Sequence, residues 1–171
     1  MSSFSAFARR HRALINALMG FSNPQTLRHW APVAIRLIVG YGFMAHGFAK
    51  LLRGPETFTV VLHAMGLPFA SLLSWATVAV EILGGLAILL GAFITLASIP
   101  MIIVLLVAIV TVHLPYGFSS IKILSYDASG AHFGQPGYET DLLYVAGIVS
   151  LMISGAGPFA LDNAVKRWLA R

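Results

Sequence analysis

The sequence contains no cysteine. Disulfides, thiolate metal sites, iron–sulfur clusters and thiol redox chemistry by this chain are excluded, and cysteine usage leaves its compartment open. Charge is nearly as scarce. Asp, Glu, Lys and Arg make up 10% of the residues, against roughly 25% in a soluble domain. Acids are scarcest, 6 against 11 Lys and Arg, and the bases gather at the two ends of the chain. That distribution gives no basic patch for nucleic acid, so no nucleic-acid partner is expected. Internal repeats and low-complexity segments are also missing.

What is present is apolar: 58% of the 171 residues are hydrophobic and the mean hydropathy is +0.84. The chain reads as an all-α integral membrane protein, a bundle of four transmembrane helices with short amphipathic interfacial helices. At about 20 residues per span, its length leaves no room for a separate soluble domain. Three regions are expected: a basic amphipathic arm (1–30), the transmembrane domain (31–158) and an interfacial C-terminal helix (159–171).

The chain is organised around the apolar run 72–92, which Glu81 interrupts near mid-depth. A carboxylate there costs on the order of 3 kcal/mol even on a lenient insertion scale, so it should face protein or water. Glu81, Gly84, Ile88 and Gly91 fall on one side of a helix, with Gly85 at its edge. Small residues allow close helix approach, and Glu81 is therefore expected in a helix–helix seam.

In the arm, Phe4, Phe7, His11, Leu14, Ile15 and Leu18 form an apolar stripe opposite Arg9, Arg10 and Arg12. This fits an amphipathic helix (4–19) on an anionic membrane face, not a signal peptide. The first span is expected over 32–51. A second amphipathic helix (56–65) follows, opened by Pro55 and stopped by Gly66 and Pro68. After a turn near 93–95 the third span covers 96–114, with Pro100 tolerated early in it. The connection 115–138 carries a weak hairpin signal, Ile121 to Leu124 followed by Asp127-Ala128-Ser129-Gly130. Glu139 and Asp141 open the fourth span, which ends near Gly157-Pro158. Asp162 is the expected N-cap of the last helix, where Lys166 and Arg167 flank Trp168. The Lys and Arg distribution puts both termini in the cytoplasm.

Laying these spans side by side gives depths at 1.5 Å per residue in a ~30 Å core. From the cytoplasmic side Arg36 lies at roughly 6 Å, Glu81 at roughly 18 Å, His46 at roughly 21 Å and His113 at roughly 25 Å on the same scale. Lys50, Glu139 and Asp141 come near the outer boundary. Glu81, His46, Lys50, His113 and Glu139 are the candidate lining of an outward-facing polar pocket, with Glu81 paired to His46, Lys50 or both. Arg36 and Asp141 are assigned to structural ion pairing. Each has a plainer alternative: Arg36 snorkelling or binding a carbonyl, Lys50 anchoring at the interface, and the two acids complementing the dipole of the fourth span.

An ordered set of residues carries a resemblance. It comprises Arg36, the run Gly42, His46, Gly47, Lys50, then Gly66-Leu67-Pro68 and Glu81-Ile82-Leu83-Gly84-Gly85. Gly137-Tyr138-Glu139 and Gly155-Ala156-Gly157 with Leu161-Asp162 complete it. Together these resemble the DoxX family over residues 31–165. The resemblance implies a four-helix bacterial membrane fold associated with quinone-linked oxidation. Members serve as membrane subunits of thiosulfate:quinone oxidoreductases or terminal-oxidase-associated complexes, or as partners in oxidoreductase complexes acting in oxidative stress. It implies lipid and a membrane oxidoreductase as partners, no intrinsic cofactor, and a quinone as the candidate ligand.

The alternatives differ in class. A small-solute transporter or channel would use the same intramembrane polar residues but would lean on oligomerisation. A b-type haem between His46 and His113 lacks a recognisable pattern, and no Glu-x-x-His pair marks a metal site. A structural or assembly protein without chemistry of its own remains a further reading, and whether the chain is an enzyme stays open at this point.

Overall fold

The computed structural model describes His11, Leu14 and residues 24–170. The expected amphipathic helix over 4–19 lies outside the described residues, apart from His11 and Leu14, which are helical.

The first long helix, α1 (Pro24–Arg53), starts well before residue 32. Pro24 suits a first helical position, where its missing N–H would be unbonded anyway. Pro32 lies inside the helix, where it removes one backbone hydrogen bond, and its ring packs on the loop after α5, where a Cβ on Gly157 would come 3.0 Å from the Pro32 Cβ. At Gly54 the φ of 85° breaks the chain direction, and Pro55 starts α2 (Pro55–Ala64). The buried Ser74 hydroxyl donates to the Pro55 carbonyl at 2.7 Å and so ties α2 to the next helix.

That next helix is α3 (Ala70–Leu90), and a reversal at Gly91 (φ 67°) leads into α4 (Ile94–Tyr116). Each contains a π-helical turn, Val80–Gly84 in α3 and Ile109–His113 in α4. The connection to α5 (Glu139–Ser154) forms a two-stranded antiparallel ribbon of β1 (Ile123–Asp127) and β2 (Gly130–Phe133). The hairpin signal was therefore real, and it adds one short ribbon to a fold that is otherwise helical. At its tip Ser129 donates to Asp127 from both its hydroxyl (2.6 Å) and its N–H (2.7 Å), and these bonds, the hydroxyl first, hold the carboxyl below the usual carboxylate range.

A short helix, α6 (Leu161–Leu169), ends the described chain. Its N-cap is Ala160, not Asp162. The Asp162 carboxylate instead accepts from the Phe93 N–H at 2.9 Å, and its own N–H donates to Gly91 at 3.1 Å. The acid is thus taken by the α3–α4 turn, which offers an otherwise unbonded donor.

The core is one apolar cluster in which Ile88, Met101, Ile148 and Leu151 are fully buried, with Val39, Phe43, Ile94 and Leu105 around them. Outside, the pattern is inverted relative to a soluble protein: Leu37, Ile38, Leu83, Leu96, Ile103, Val110, Leu143 and Ile153 are exposed, while Arg36, Glu81 and Asp141 are buried. Three helices, α1, α3 and α4, are long and apolar enough to cross a bilayer. The fourth, α5, has 16 residues, roughly 24 Å at 1.5 Å per residue, so a count of four spans is not reached on length.

The α1–α3 crossing decides where the charges meet. Gly40 and Gly85 face each other so closely that a Cβ on either would lie 2.7 Å from the other's carbonyl oxygen. One heptad along α1, a Cβ on Gly47 would come 3.0 Å from the Glu81 Cβ. This backbone contact is what brings the Glu81 carboxylate within reach of α1.

Candidate functional site

The ionisable residues separate into two ends of the bundle. At one end, Arg36 is buried and its guanidinium donates to four backbone carbonyls. Nε reaches Ile88 at 3.1 Å, Nη2 reaches Leu89 at 2.7 Å, and Nη1 reaches Ala156 at 3.0 Å and Pro158 at 3.1 Å. These acceptors are the last turn of α3, the negative end of its dipole, and the loop that follows α5. Structural ion pairing of Arg36 with an acid is thus corrected, and the alternative reading of this residue, binding to carbonyls, is what the structure shows. Gly91 makes room, since a Cβ there would sit 2.8 Å from the Arg36 Cζ.

At the other end, Glu81 sits on the π turn of α3 and accepts from Lys50 through both carboxylate oxygens, each at 2.7 Å. The Glu81 side chain is 7% exposed and that of Lys50 is 24% exposed. The Lys50 ammonium also lies 5.2 Å from the centroid of Phe58 on α2. The pair thus joins α1 to α3 under the roof of α2, with the cation at the bundle's edge and the anion inside.

A second acid–base pair shares this end. His113 closes the π turn of α4, and its Nδ1 lies 2.5 Å from an Asp141 oxygen in the first turn of α5. Asp141 is buried, and its partner is histidine. Glu139, one turn-start earlier, accepts instead from the Ser120 N–H at 3.0 Å and braces the base of the β-ribbon.

His46 does not join Glu81. It is exposed, and among the described residues no hydrogen bond to it is found. Its place follows from the stripe below it on α1. A Cβ on Gly147 of α5 would come 3.1 Å from Val39 and 3.3 Å from Ile35, and Tyr144 of α5 occupies the space beside Gly42. His46 continues this stripe at i+4 from Gly42, so it stands where the α1–α5 seam opens, one turn below Lys50. Of the five proposed pocket residues, Lys50 and Glu81 are brought together; His113 and Glu139 have other partners. Among the described residues no group of three or more His, Asp or Glu converges as metal ligands would.

Sequence reasoning did not foresee the two π turns or the Phe58 face over Lys50. A π turn adds one residue to a helical turn and often marks a functional position. Its only signal here is that each coincides with an ionisable residue inside an apolar run.

Inward charges, an apolar exterior and three helices of spanning length define a helical membrane protein. Residues 31–114, from α1 to near the end of α4, match the DoxX family model, and over that segment the chain is a DoxX-family membrane protein. The match includes Arg36, Lys50, Glu81 and His113 but not Asp141. An uncharacterized membrane protein of Mycobacterium tuberculosis is 29% identical over 139 residues, covering 79% of this chain and 81% of the relative. An uncharacterized protein of Haemophilus influenzae is 28% identical over 145 residues, covering 83% of this chain and 96% of the relative. No solved structure matches.

Proposed function

We propose that this protein is the membrane subunit of a quinone-linked oxidoreductase complex, with the Lys50–Glu81 end of the bundle as its quinone-contacting site. The observation that carries the reading is the ion pair itself, set on a π turn and roofed by an aromatic ring at the bundle's edge. The donor set fits a quinone headgroup. An ammonium has three N–H donors, and Glu81 takes two of those of Lys50. The third N–H of Lys50, with the His46 imidazole one turn below, would hold the carbonyl oxygens, and Phe58 would cover the ring. When bound, the quinone supplies two-electron, two-proton acceptor chemistry. Glu81 and the His113–Asp141 pair lie at that same end. The chain carries no cysteine for an iron–sulfur centre, so in this reading electrons come from a partner protein.

The same reading takes α5 as a fourth span, completed by the residues after Ser154 and by local bilayer thinning. It places both termini in the cytoplasm and the ion pairs in the outer half of a bacterial inner membrane. Mass spectrometry of proteins, lipids and quinones retained in mild detergent tests the proposal. Near-stoichiometric quinone is expected in the parent, with loss in Glu81→Gln and in Phe58→Ala, which leaves the ion pair intact. Quinone no higher than in an unrelated helical protein from the same membranes overturns it. Labelling of a cysteine placed at Ser5 from outside intact cells would reverse the orientation.

A further inference from the structure

The ribbon between α4 and α5 is two-faced, and one irregularity makes it so. In a regular strand Ile123 and Tyr126 would point to opposite sides. The register shifts between Ile123 and Ser125, and an extra residue in one strand reverses the alternation beyond it. Ile123 pairs with Phe133 and Tyr126 with Ala131, and Ala131 and Phe133, two apart on β2, share a face. Ile123, Tyr126, Ala131 and Phe133 therefore make one apolar face. The opposite face carries Ser125, Asp127 and His132, with the His132 imidazole 2.6 Å from the Asp127 carboxylate, and at its base the extra residue Leu124, exposed beside Gly134.

Asp127 and His132 partner each other, while the larger apolar face, with both its aromatic rings, is bare. Ile123 is 48% exposed, Tyr126 74% and Phe133 63%. The setting of this face indicates the partner. The ribbon is held at its base by hydrogen bonds from the Tyr138 N–H to Gly117 (3.1 Å), from the Glu139 N–H to Phe118 (2.9 Å) and from the Gly137 N–H to Ser119 (2.9 Å). It is thus braced where α4 and α5 leave the bundle. Exposed Leu114, Tyr116, Phe118 and Ile121 mark the chain from the end of α4 to the ribbon. Aromatic and aliphatic side chains at that level are what the headgroup layer of a bilayer accommodates.

We propose that the β1–β2 ribbon is a membrane-contacting element that lies along the bilayer surface, its Ile123–Tyr126–Phe133 face seated in the headgroup layer and its Asp127–His132 face toward water. This rests on the membrane embedding of the helices and is independent of any quinone site.

The absence of native cysteine makes the test direct. Single cysteines at Tyr126 and Phe133, and at Ser125 and Ser129, are labelled with an environment-sensitive fluorophore. The full chain is reconstituted at low density into phosphatidylcholine vesicles containing headgroup-proximal spin-labelled lipid. Probes at 126 and 133 are expected to emit at shorter wavelength and to be quenched by the lipid label at least about twofold more than probes at 125 and 129. Equal quenching on both faces overturns the proposal. So does a shielded probe at 126 that the lipid label does not quench, which would assign the face to a second copy or another protein. All four positions are exposed, so the substitutions leave the bundle core untouched.

Discussion

Breaking the Lys50–Glu81 pair tests the central contact of the site. The two groups meet at 2.7 Å, and at an effective dielectric constant near 20 the gross attraction is about 6 kcal/mol. Desolvation of both groups offsets much of this. In Glu81→Gln the ammonium is left without its anion, a loss of about 3–5 kcal/mol for a fully buried pair. Lys50 is 24% exposed and keeps the Phe58 face, which supplies about 0.5–1 kcal/mol. The expected loss is therefore about 2–3 kcal/mol, read as a melting temperature lower by about 4–12 °C for a chain of this size. Lys50→Met leaves the anion, 7% exposed, and should be at least as damaging. In the double variant neither charge is stranded, so a thermodynamic cycle in mild detergent should return a coupling of about 2 kcal/mol. A coupling within about 0.5 kcal/mol of zero would refute the reasoning, because the two losses would then be independent.

Gly85→Ala should destabilise by about 1–3 kcal/mol, since the new methyl meets the Gly40 carbonyl, whereas Gly84→Ala meets only the flexible Met101 side chain; equal melting temperatures for the two variants would contradict the backbone seam. Arg36→Lys keeps the charge but cannot span acceptors on the end of α3 and the loop after α5, so a loss of about 2–3 kcal/mol is expected, together with faster proteolysis of α6; stability equal to the parent would show that the fork geometry is idle. At the ribbon tip, Asp127 lies below its ordinary value because Ser129 donates to it. A depressed folded value means the turn's stability is present above the unfolded value of about 3.9 and is lost as pH falls through the lower folded value. In a His132→Gln background, which removes the neighbouring imidazole, the Ser129 amide resonance should therefore hold its position down to about pH 4 and move only below it, and a transition above pH 5 would contradict the hydrogen bonding assigned here.

Much of the fold was legible because its signals are local. Apolar runs of about 20 residues mark spans wherever they fall, and α3 and α4 begin within two residues of the positions the hydropathy gave. Pro55, Gly54 and Gly66 punctuate α2 through their own φ values. The start of α1 was misplaced because Pro32 reads as a helix opening, while tertiary contact with the Gly157 loop lets the helix run through it. Asp162 was misread for a similar reason: cap chemistry is local, but the donor it found belongs to a turn 69 residues away.

The candidate site was legible to a lesser depth. That Glu81 must be inward, and that glycines must line its seam, follow from the cost of a lipid-facing carboxylate and from small residues at helical spacing. The identity of its partner does not follow. Lys50 and His46 lie one turn apart on α1 and both are within the error of a depth estimate; the Gly47 contact turns Lys50 toward Glu81 and leaves His46 at the α1–α5 opening. Arg36 gathers carbonyls 52 and 120 residues away, and no spacing announces them.

By itself, then, the sequence determined that the chain partitions into a membrane, where α2, α3 and α4 start and stop to within a few residues, and that its few buried charges require company. Hydropathy, turn chemistry and the cost of desolvation act on a residue through its immediate neighbours, so they can be read in order along the chain. Only the tertiary structure decided which charges meet and which face of the β-ribbon is apolar. Those outcomes depend on helix rotation, on two π turns and on one irregular strand residue, each of which shifts side-chain direction by a single position and is set by packing between segments far apart in the chain.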